Sequence, residues 1–341
     1  MLELERDPRA GWDVVYINVE AAESAADLLA RVHAALLRHP RFSTWLKLGW
    51  SGVRSTLAKV TQAKAMSVEI KRTLGRDWVL AADRLERQLE RESDGRRLLI
   101  VIDELPILIA RMLDSGDRAE EASLLLAKFR QWRQAPGLRG KVQTLVGGSV
   151  GLEGVLRRAG LSASINDLTP FRVTAWSRPT AASFLRRVGE ENRFPLTDHW
   201  IDRILDLLGE PVPYHVQLFF SALHDICATS SYLSEPLVKQ CFEERLTGAS
   251  GIPHLDHYAA RLEVVFSQTQ HETALRVLAR ASRFERGVLR SELAGDVSAS
   301  DLGQVLQALE SDGYLHRHDD RLAFQSNLLR IWWRKHRGGE A

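Results

Sequence analysis

The sequence predicts an α/β domain with a mainly parallel sheet, followed by a helical region and a C-terminal winged helix-turn-helix. Three observations predict it. Apolar runs of strand length alternate with amphipathic helices through the first 175 residues; strand signals cease after Ser177; and residues 272–337 read as three helices followed by a short hairpin.

The first strand is residues 12–20, Trp12-Asp13-Val14-Val15-Tyr16-Ile17-Asn18-Val19-Glu20, rich in the β-branched and aromatic side chains that a pleated, buried surface favours. A helix follows. Ser24 with Asp27 three residues on forms an N-cap pair, and Leu28, Leu29, Val32 and Leu36 recur at helical spacing up to His39-Pro40. Residues 41–76 break the pattern, carrying Arg41, Lys47, Arg54, Lys59, Lys64, Lys71, Arg72 and Arg76 against Glu69 alone. Such a lopsided stretch reads as an insertion, serving either as a contact for an anionic surface or as a solvated basic face.

Residues 78–92 form an amphipathic helix, and the turn Ser93-Asp94-Gly95 leads into Leu98-Leu99-Ile100-Val101-Ile102. Five consecutive apolar residues imply burial on both faces, hence a parallel sheet. A helix over 118–134 precedes the next strand, Val142-Gln143-Thr144-Leu145-Val146, and Phe171-Arg172-Val173-Thr174 is a fourth strand candidate. Helices are then expected over 180–192, 198–208, 214–227 and 235–246. The linker Gly248-Ala249-Ser250-Gly251 leads to helices over 255–266, 272–282, 287–293 and 300–310, and the hairpin strands 312–317 and 321–324 close around Asp319-Asp320. The organisation read from this is an α/β core over 1–176 with the basic insertion at 41–76, a helical lid over 177–250, and a linker helix with the winged region over 251–341.

Composition bounds the function classes. A chain of 341 residues that is 45% hydrophobic and 26% charged, with net charge +2, is an ordinary globular protein, which excludes disordered and fibrous classes. Two cysteines, Cys227 and Cys241, make no disulfide framework and read as reduced thiols of a cytoplasmic protein. The most apolar run, residues 98–112, is interrupted by Asp103, Glu104 and Pro106, so no membrane partner is expected. With 46 basic against 44 acidic residues, any basic patch is local.

Chemistry points first to Asp103-Glu104, two carboxylates at the carboxyl end of a buried strand, where open α/β sheets bind ligands. In a nucleotide hydrolase the first of such a pair helps to hold Mg²⁺ through water, and the second orients or deprotonates the attacking water. The alternative is an acidic loop after an ordinary strand. Val146-Gly147-Gly148-Ser149 places a hydroxyl among small residues at the next strand end, where it is positioned to sense a γ-phosphate.

These residues resemble the archaeal-type P-loop ATPases of the STAND branch of AAA+-like proteins, and the resemblance spans nearly the whole chain. LLIVIDELP at 98–106 is similar to the Walker B strand, VGGSVGLE at 146–153 to the sensor-1 strand and its helix, and Gly209-Glu210-Pro211 to the GxP motif of the lid. HYAARL at 257–262 and FQSNLLRIWW at 324–333 are similar to C-terminal signatures of that family. The resemblance implies a P-loop NTPase fold, ATP and Mg²⁺ as cofactors, Asp103 as the water-mediated Mg²⁺ carboxylate, Glu104 as the catalytic carboxylate, Ser149 as the sensor, and Gly209 and Pro211 against the nucleotide.

One departure outweighs the others: no segment matches G-x-x-x-x-G-K-[ST], whose amides cradle phosphates and whose Lys and hydroxyl bind phosphate and Mg²⁺. In the family that loop follows the first strand and opens a helix placed before Asp13, and residues 1–6 read as the remainder of that helix. The sequence is therefore expected to lack the first strand and its loop through truncation, the alternative being a degenerate relative that binds a partner without hydrolysing nucleotide. ATP and Mg²⁺ are expected of the full-length family member, and catalytic impairment of the chain as written.

Other constellations are weaker. His224 with Cys227, and His254 with His257, lack the further ligands of a tetrahedral metal site. Arg157 and Arg158 read either as a trans-acting arginine finger or as surface residues, and Trp332-Trp333 as core of the winged region. The recognition helix from Ser300 carries Asp301, Gln304, Gln307 and Glu310 without Lys or Arg. The basic residues are Arg317 and Arg321 at the wing and Arg330, Arg334, Lys335 and Arg337 in the tail. Of these, Arg317, Arg321, Arg334 and Lys335 are the candidate contacts for DNA or a partner, with weak, non-specific DNA binding and a protein partner or self-association expected. Two functions stand at this point: a nucleotide-driven regulatory switch, or a non-enzymatic winged-helix regulator.

Overall fold

The computed structural model describes residues 1–43, 78–91, 95–171, 173–228, 232–293 and 299–339. They form two compact units, Met1–Leu168 and Thr169–Ala341.

The first unit is built on a parallel sheet of order β1-β2-β3, with β1 Trp12–Asn18, β2 Arg97–Asp103 and β3 Val142–Val146. The five-residue apolar run of the sequence is the central strand β2, and its Leu98, Ile100, Val101 and Ile102 are buried. The register pairs Asn18 with Asp103 and Ile102 with Val146, so the three strands end together at one edge. A short helix α1, Leu2–Arg6, precedes β1, and its Glu5 accepts a hydrogen bond from the outward Tyr16 N–H at 3.0 Å, which caps the outer edge of β1. Helix α2, Ala25–Arg38, starts where the sequence indicates: the Ser24 hydroxyl accepts from the Asp27 N–H at 3.2 Å. It buries Leu28, Leu29, Val32 and Leu36, and α3, Trp78–Arg91, buries Leu85 and Leu89.

The apolar stretch 98–112 divides after Glu104 into β2 and a helix that the sequence reading did not separate, α4, Leu105–Asp114. Pro106 in its first turn and the turn at Glu104 make the break. Then follow α5, Ala119–Gln134, β3, and α6, Leu152–Arg158.

Arg41 corrects the picture of the basic insertion. It is not a solvated cation: its guanidinium lies 2.6 Å from Asp13, a buried carboxylate in β1 that also receives Arg96 at 2.7 Å. Residues 44–76 of that insertion lie outside the described residues. Burial pushes the Asp13 carboxyl up, but Arg96 and Arg41, with His39 nearby, outweigh it and hold Asp13 below the usual carboxylate range. Asp13→Ala is expected to cost about 2 kcal/mol at pH 7, less than a fully enclosed pair because Arg96 is half exposed. A native pKa below the unfolded one means that this stabilisation is present above pH 3.8 and is lost as pH falls through the lowered native value. Urea unfolding at pH 7 and pH 3 measures both effects; an Asp13→Ala chain as stable as the parent at pH 7 would contradict the assignment.

The second unit opens with a correction. Of the strand candidate at 171–174, Phe171, Val173 and Thr174 are not in a strand: Phe171 and Val173 are 83% and 84% exposed and pair with no strand among the described residues, and Arg172 lies outside those residues. Local β-propensity without a partner edge does not make a strand. Helices α7, Arg178–Glu191, α8, Asp198–Leu208, α9, Pro213–Cys227, and α10, Glu235–Gln240, follow, the last running into a π-helical turn, Cys241–Leu246. Next come α11, Ile252–Val265, and α12, Gln268–Ser282.

The winged region carries a three-stranded antiparallel sheet of order β4-β6-β5, with β4 Val288–Leu289, β5 Leu315–His318 and β6 Arg321–Phe324. The helix expected over 287–293 is corrected to strand β4 followed by the short helix α13, Arg290–Leu293. Gly287 explains the difference. Its φ of +79° ends helical geometry, and a Cβ there would lie 2.7 Å from the Leu322 carbonyl, so only glycine lets the chain approach β6. Helix α14, Ala299–Ser311, buries Leu302, Val305, Leu306 and Leu309; the hairpin turns at Asp319, φ 53°; and α15, Asn327–His336, closes the chain with Trp332 and Trp333 buried.

Candidate functional site

Parallel strands deliver their carboxyl ends to one edge of the sheet. At that edge β2 ends in Asp103 and β3 runs into Gly147-Gly148-Ser149, so the register alone brings the predicted carboxylates and the predicted hydroxyl together. Ser149 donates to Glu104 twice, from its N–H and from its hydroxyl, both 3.0 Å from Oε2. Asp103 Oδ2 accepts from the Tyr16 hydroxyl at 2.7 Å, while Oδ1 accepts the Glu104 N–H at 3.2 Å.

The backbone at Glu104 is left-handed, φ 61° and ψ 26°, a conformation that a glutamate adopts at a cost of roughly 1 kcal/mol. It turns the chain sharply from β2 into α4 and aims the carboxylate at Ser149. The two glycines form a floor without side chains between the acids. A Cβ on Gly148 would lie 2.8 Å from Pro106 Cδ and 3.2 Å from Glu104 Oε2; one on Gly147 would collide with the Met1 side chain, and its position is 3.9 Å from Asp103 Oδ1.

Tyr16 is the member of this cluster that the sequence reading missed. Burial, then the hydrogen bond to Asp103 and that residue's charge, push its phenol above the ordinary range. The available signal was a single tyrosine between Val15 and Ile17 in the first strand, and its meaning depends on pairing with β2.

Gly209 and Pro211 belong to the second unit. Gly209 ends α8 with φ 72° and ψ −111°, and forms a backbone bridge with Ser326. Any side chain there would be strained and would press on Asn327, whose Cβ is 3.2 Å from the Cβ position. The Pro211 carbonyl accepts from the Trp176 N–H at 3.1 Å. Around this turn, buried His215 meets the Ser326 hydroxyl at 2.8 Å through Nδ1 and the Tyr258 hydroxyl at 3.3 Å through Nε2, and Asn327 Nδ2 donates to the Leu207 carbonyl at 2.8 Å. The turn of the helical region is thus tied to the first turn of α15.

The basic residues of the winged region are largely engaged internally. Arg317 pairs with Glu310 at 2.6 Å, Arg321 donates to the Gly287 carbonyl at 2.9 Å, and Lys335 donates to the Thr247 hydroxyl at 2.8 Å. Arg330, read as part of the basic tail, is instead buried, with its guanidinium on Asn327 Oδ1 and the Ser282 carbonyl; the apolar face of α15 carries it inward. Arg337 is held by Asp256 at 2.9 Å, whereas Arg334 is exposed. Arg157 and Arg158 pair with Glu153 and Asp114 at 2.7 and 2.9 Å. Among the described residues no group of three or more His, Cys, Asp or Glu side chains is arranged to hold a metal ion, and no helix is long and apolar enough to cross a membrane.

A solved structure described as a Walker-type ATPase of Pyrococcus abyssi overlays with a TM-score of 0.56 at 15% identity, covering 94% of this chain and 84% of that one. The chain shares the fold of that structure. The Holliday junction branch migration motor RuvB of Thermotoga maritima overlays more loosely, with a TM-score of 0.35 at 14% identity over 76% of this chain and 78% of that one, and the fold argument rests on the Pyrococcus structure. No protein-family model matches the chain, and no curated protein does.

Proposed function

We propose that this chain is a nucleotide-responsive regulatory ATPase of the AAA+-like group, with Asp103, Glu104 and Ser149 facing the terminal phosphates and the winged region passing on the nucleotide state to a protein partner. The observation that carries this reading is the meeting of those three side chains over a glycine floor at the carboxyl edge of a parallel sheet.

The donor set suits Mg²⁺ held through water. Asp103 Oδ1 lies 3.9 Å from the Cβ position of Gly147, a space the Met1 side chain fills in this structure, and two carboxylates alone are too few for an all-protein metal site. Bound there, Mg²⁺ would supply charge neutralisation for the phosphate oxygens. Glu104 is the group that accepts the proton of an attacking water. In the arrangement observed, its Oε2 is taken by both donors of Ser149, so a phosphate oxygen that recruits Ser149 also releases the carboxylate for that work.

The phosphate-cradling loop that this reading requires would follow a further strand paired with β3. The support is the sheet itself. Among the described residues β3 is an edge strand, half-buried along most of its length, where β1 has its Glu5 cap. In the protein carrying that segment, Glu104→Gln is expected to retain MgATP binding and to lose at least tenfold in turnover, because the base is removed and Asp103 is kept. Single-turnover hydrolysis and equilibrium binding measure the two separately; turnover at the parent rate would remove Glu104 from the role.

The winged region is assigned to protein rather than to sequence-specific DNA. The outward positions of α14 are Ser300, Gln304 and Gln307, flanked by Asp301 and Glu310, and the wing cations Arg317 and Arg321 are already engaged. Such a helix offers phosphate no attraction. Duplex binding is expected to be weak, to disappear between 50 and 200 mM salt (about the range over which a few phosphate contacts are lost), and to be indifferent to sequence. A titration of random and selected duplexes across that series tests it, and one sequence held orders of magnitude more tightly would overturn it.

A further inference from the structure

Helix α15 is polar at both ends, Ser326-Asn327 and Lys335-His336-Arg337, and apolar between them, with Trp332 and Trp333 buried. The apolar middle packs within the winged region, where Phe324 of β6 lies 6.3 Å from Trp333 between ring centroids. Both polar ends are fastened to the helical region instead. At the first turn, Gly209 makes its backbone bridge with Ser326, the Ser326 hydroxyl meets His215 Nδ1 at 2.8 Å, and Asn327 Nδ2 donates to the Leu207 carbonyl at 2.8 Å. The last turn lies about 13 Å further along the helix axis at 1.5 Å per residue. There Lys335 Nζ donates to the Thr247 hydroxyl at 2.8 Å and to the Glu243 carbonyl of the π-helical turn at 3.2 Å, and His336 Nε2 donates to the Thr247 carbonyl at 2.9 Å.

Arg330 gives the first fastening its direction. A side-chain amide has a donor end and an acceptor end, and either can face a neighbour; a guanidinium only donates. Arg330, 8% exposed, donates to Asn327 Oδ1 at 2.8 Å and to the Ser282 carbonyl at 3.3 Å. With Oδ1 held by the cation, Nδ2 is the end that turns to Leu207. One chain of hydrogen bonds therefore runs from the end of α12, through α15, to the end of α8. A rod attached at one point pivots, whereas a rod attached at two points a helix length apart does not. We propose that α15 is a strut that makes the helical region and the winged region one rigid body, so that a rotation of the first is passed undiminished to the second. Both regions lie within one compact unit, Thr169–Ala341, as such a strut requires. The strut is independent of any nucleotide, and no nucleotide enters its test.

The test uses the full chain with Cys227→Ser, Cys241 being buried, and spin labels on cysteines placed at two exposed positions, Glu190 in α7 and His316 in β5. Double electron–electron resonance should give one narrow distance distribution between the two regions. Arg330→Met keeps the apolar stem without the donors, and Ser326→Ala removes the hydroxyl that His215 meets; each should about double the width of that distribution. A second label pair inside the winged region, at the exposed Glu272 of α12 and His316, should stay narrow in the parent and in both variants. A broad or two-peaked distribution between the regions in the parent would overturn the single rigid body. Narrow distributions in both variants would show that these bonds are not what holds the two regions together, and the strut role would fall. Broadening of both label pairs alike would show that Arg330 and Ser326 support the winged region itself and not its junction, which also overturns their assignment.

Discussion

Trp333→Ala is expected to destabilise the second unit by about 4 kcal/mol, the upper part of the range for removing a large aromatic from a core. Trp333 is fully buried and central to an aromatic cluster: Trp332 lies 5.9 Å away between ring centroids, Phe324 6.3 Å and Tyr314 6.4 Å at a nearly perpendicular 86°. These rings join α15 to β6 and to Tyr314, the residue just before β5, so the cavity opens where several segments meet and little can move in to fill it. A milder variant separates packing from polarity. The Trp333 indole N–H has no hydrogen-bond partner among the described residues, and burying such a donor costs roughly 1 kcal/mol or more. Trp333→Phe therefore gives up ring area and at the same time removes an unsatisfied donor, for an expected net loss of about 1–2 kcal/mol. Native-state hydrogen exchange at the amides of α12 and α15 reads both values. An alanine variant that costs under 1 kcal/mol would show that Trp333 is not a core residue.

How much was legible before the fold follows from which signals are local. A five-residue apolar run fixes a buried strand with no knowledge of its neighbours, and two acids directly after it must lie at that strand's carboxyl end, so Asp103 and Glu104 were placed from sequence alone. Ser149 was legible for the same reason, because small residues follow directly on a second apolar strand. Tyr16 was not, since a residue inside a strand acquires its role from cross-strand register, which no single segment encodes. The same cause explains residues 171–174, whose β-propensity is real but whose chain finds no edge to join. It also explains residues 287–293, where a backbone approach at Gly287 overrides helical spacing. Charge was the least legible property. Arg41 and Arg330 looked like solvated cations in sequence, yet Arg41 neutralises a buried carboxylate and Arg330 is buried against Asn327 and the Ser282 carbonyl.

The junction around Gly209 shows the same dependence on distant pairing. Gly209-Glu210-Pro211 resembles a lid motif that the resemblance places against a nucleotide; in the fold this turn meets Ser326, the residue that caps α15 by accepting the Leu329 N–H at 3.3 Å. His215 completes the contact with both ring nitrogens on hydroxyl groups, those of Ser326 and Tyr258, and its burial favours the neutral imidazole.

Acid is accordingly expected to weaken both units between pH 6.5 and about pH 4. Each contains one almost fully buried histidine: His33 in α2, whose Nδ1 donates to the Leu29 carbonyl at 2.8 Å, and His215 at the start of α9. Burial lowers the pKa of both from 6.5 to about 4, with His257 nearby as a further cause for His215. The unfolded chain therefore takes up protons over a range in which the native state does not. Stability is complete above pH 6.5, falls as pH drops toward 4, and loses no more from these groups once the native histidines are themselves protonated. A difference of that size amounts to about 3 kcal/mol for each histidine. In the first unit a second loss follows below pH 3.8, when Asp13 is protonated and releases Arg96 and Arg41. Urea unfolding across pH 8 to 3 should show the two stages, and His33→Leu, close in volume and unable to titrate, should abolish the first stage in the first unit while leaving that of the second unit intact. An unaltered pH dependence in His33→Leu would mean that the buried imidazole is not what makes the fold sensitive to acid.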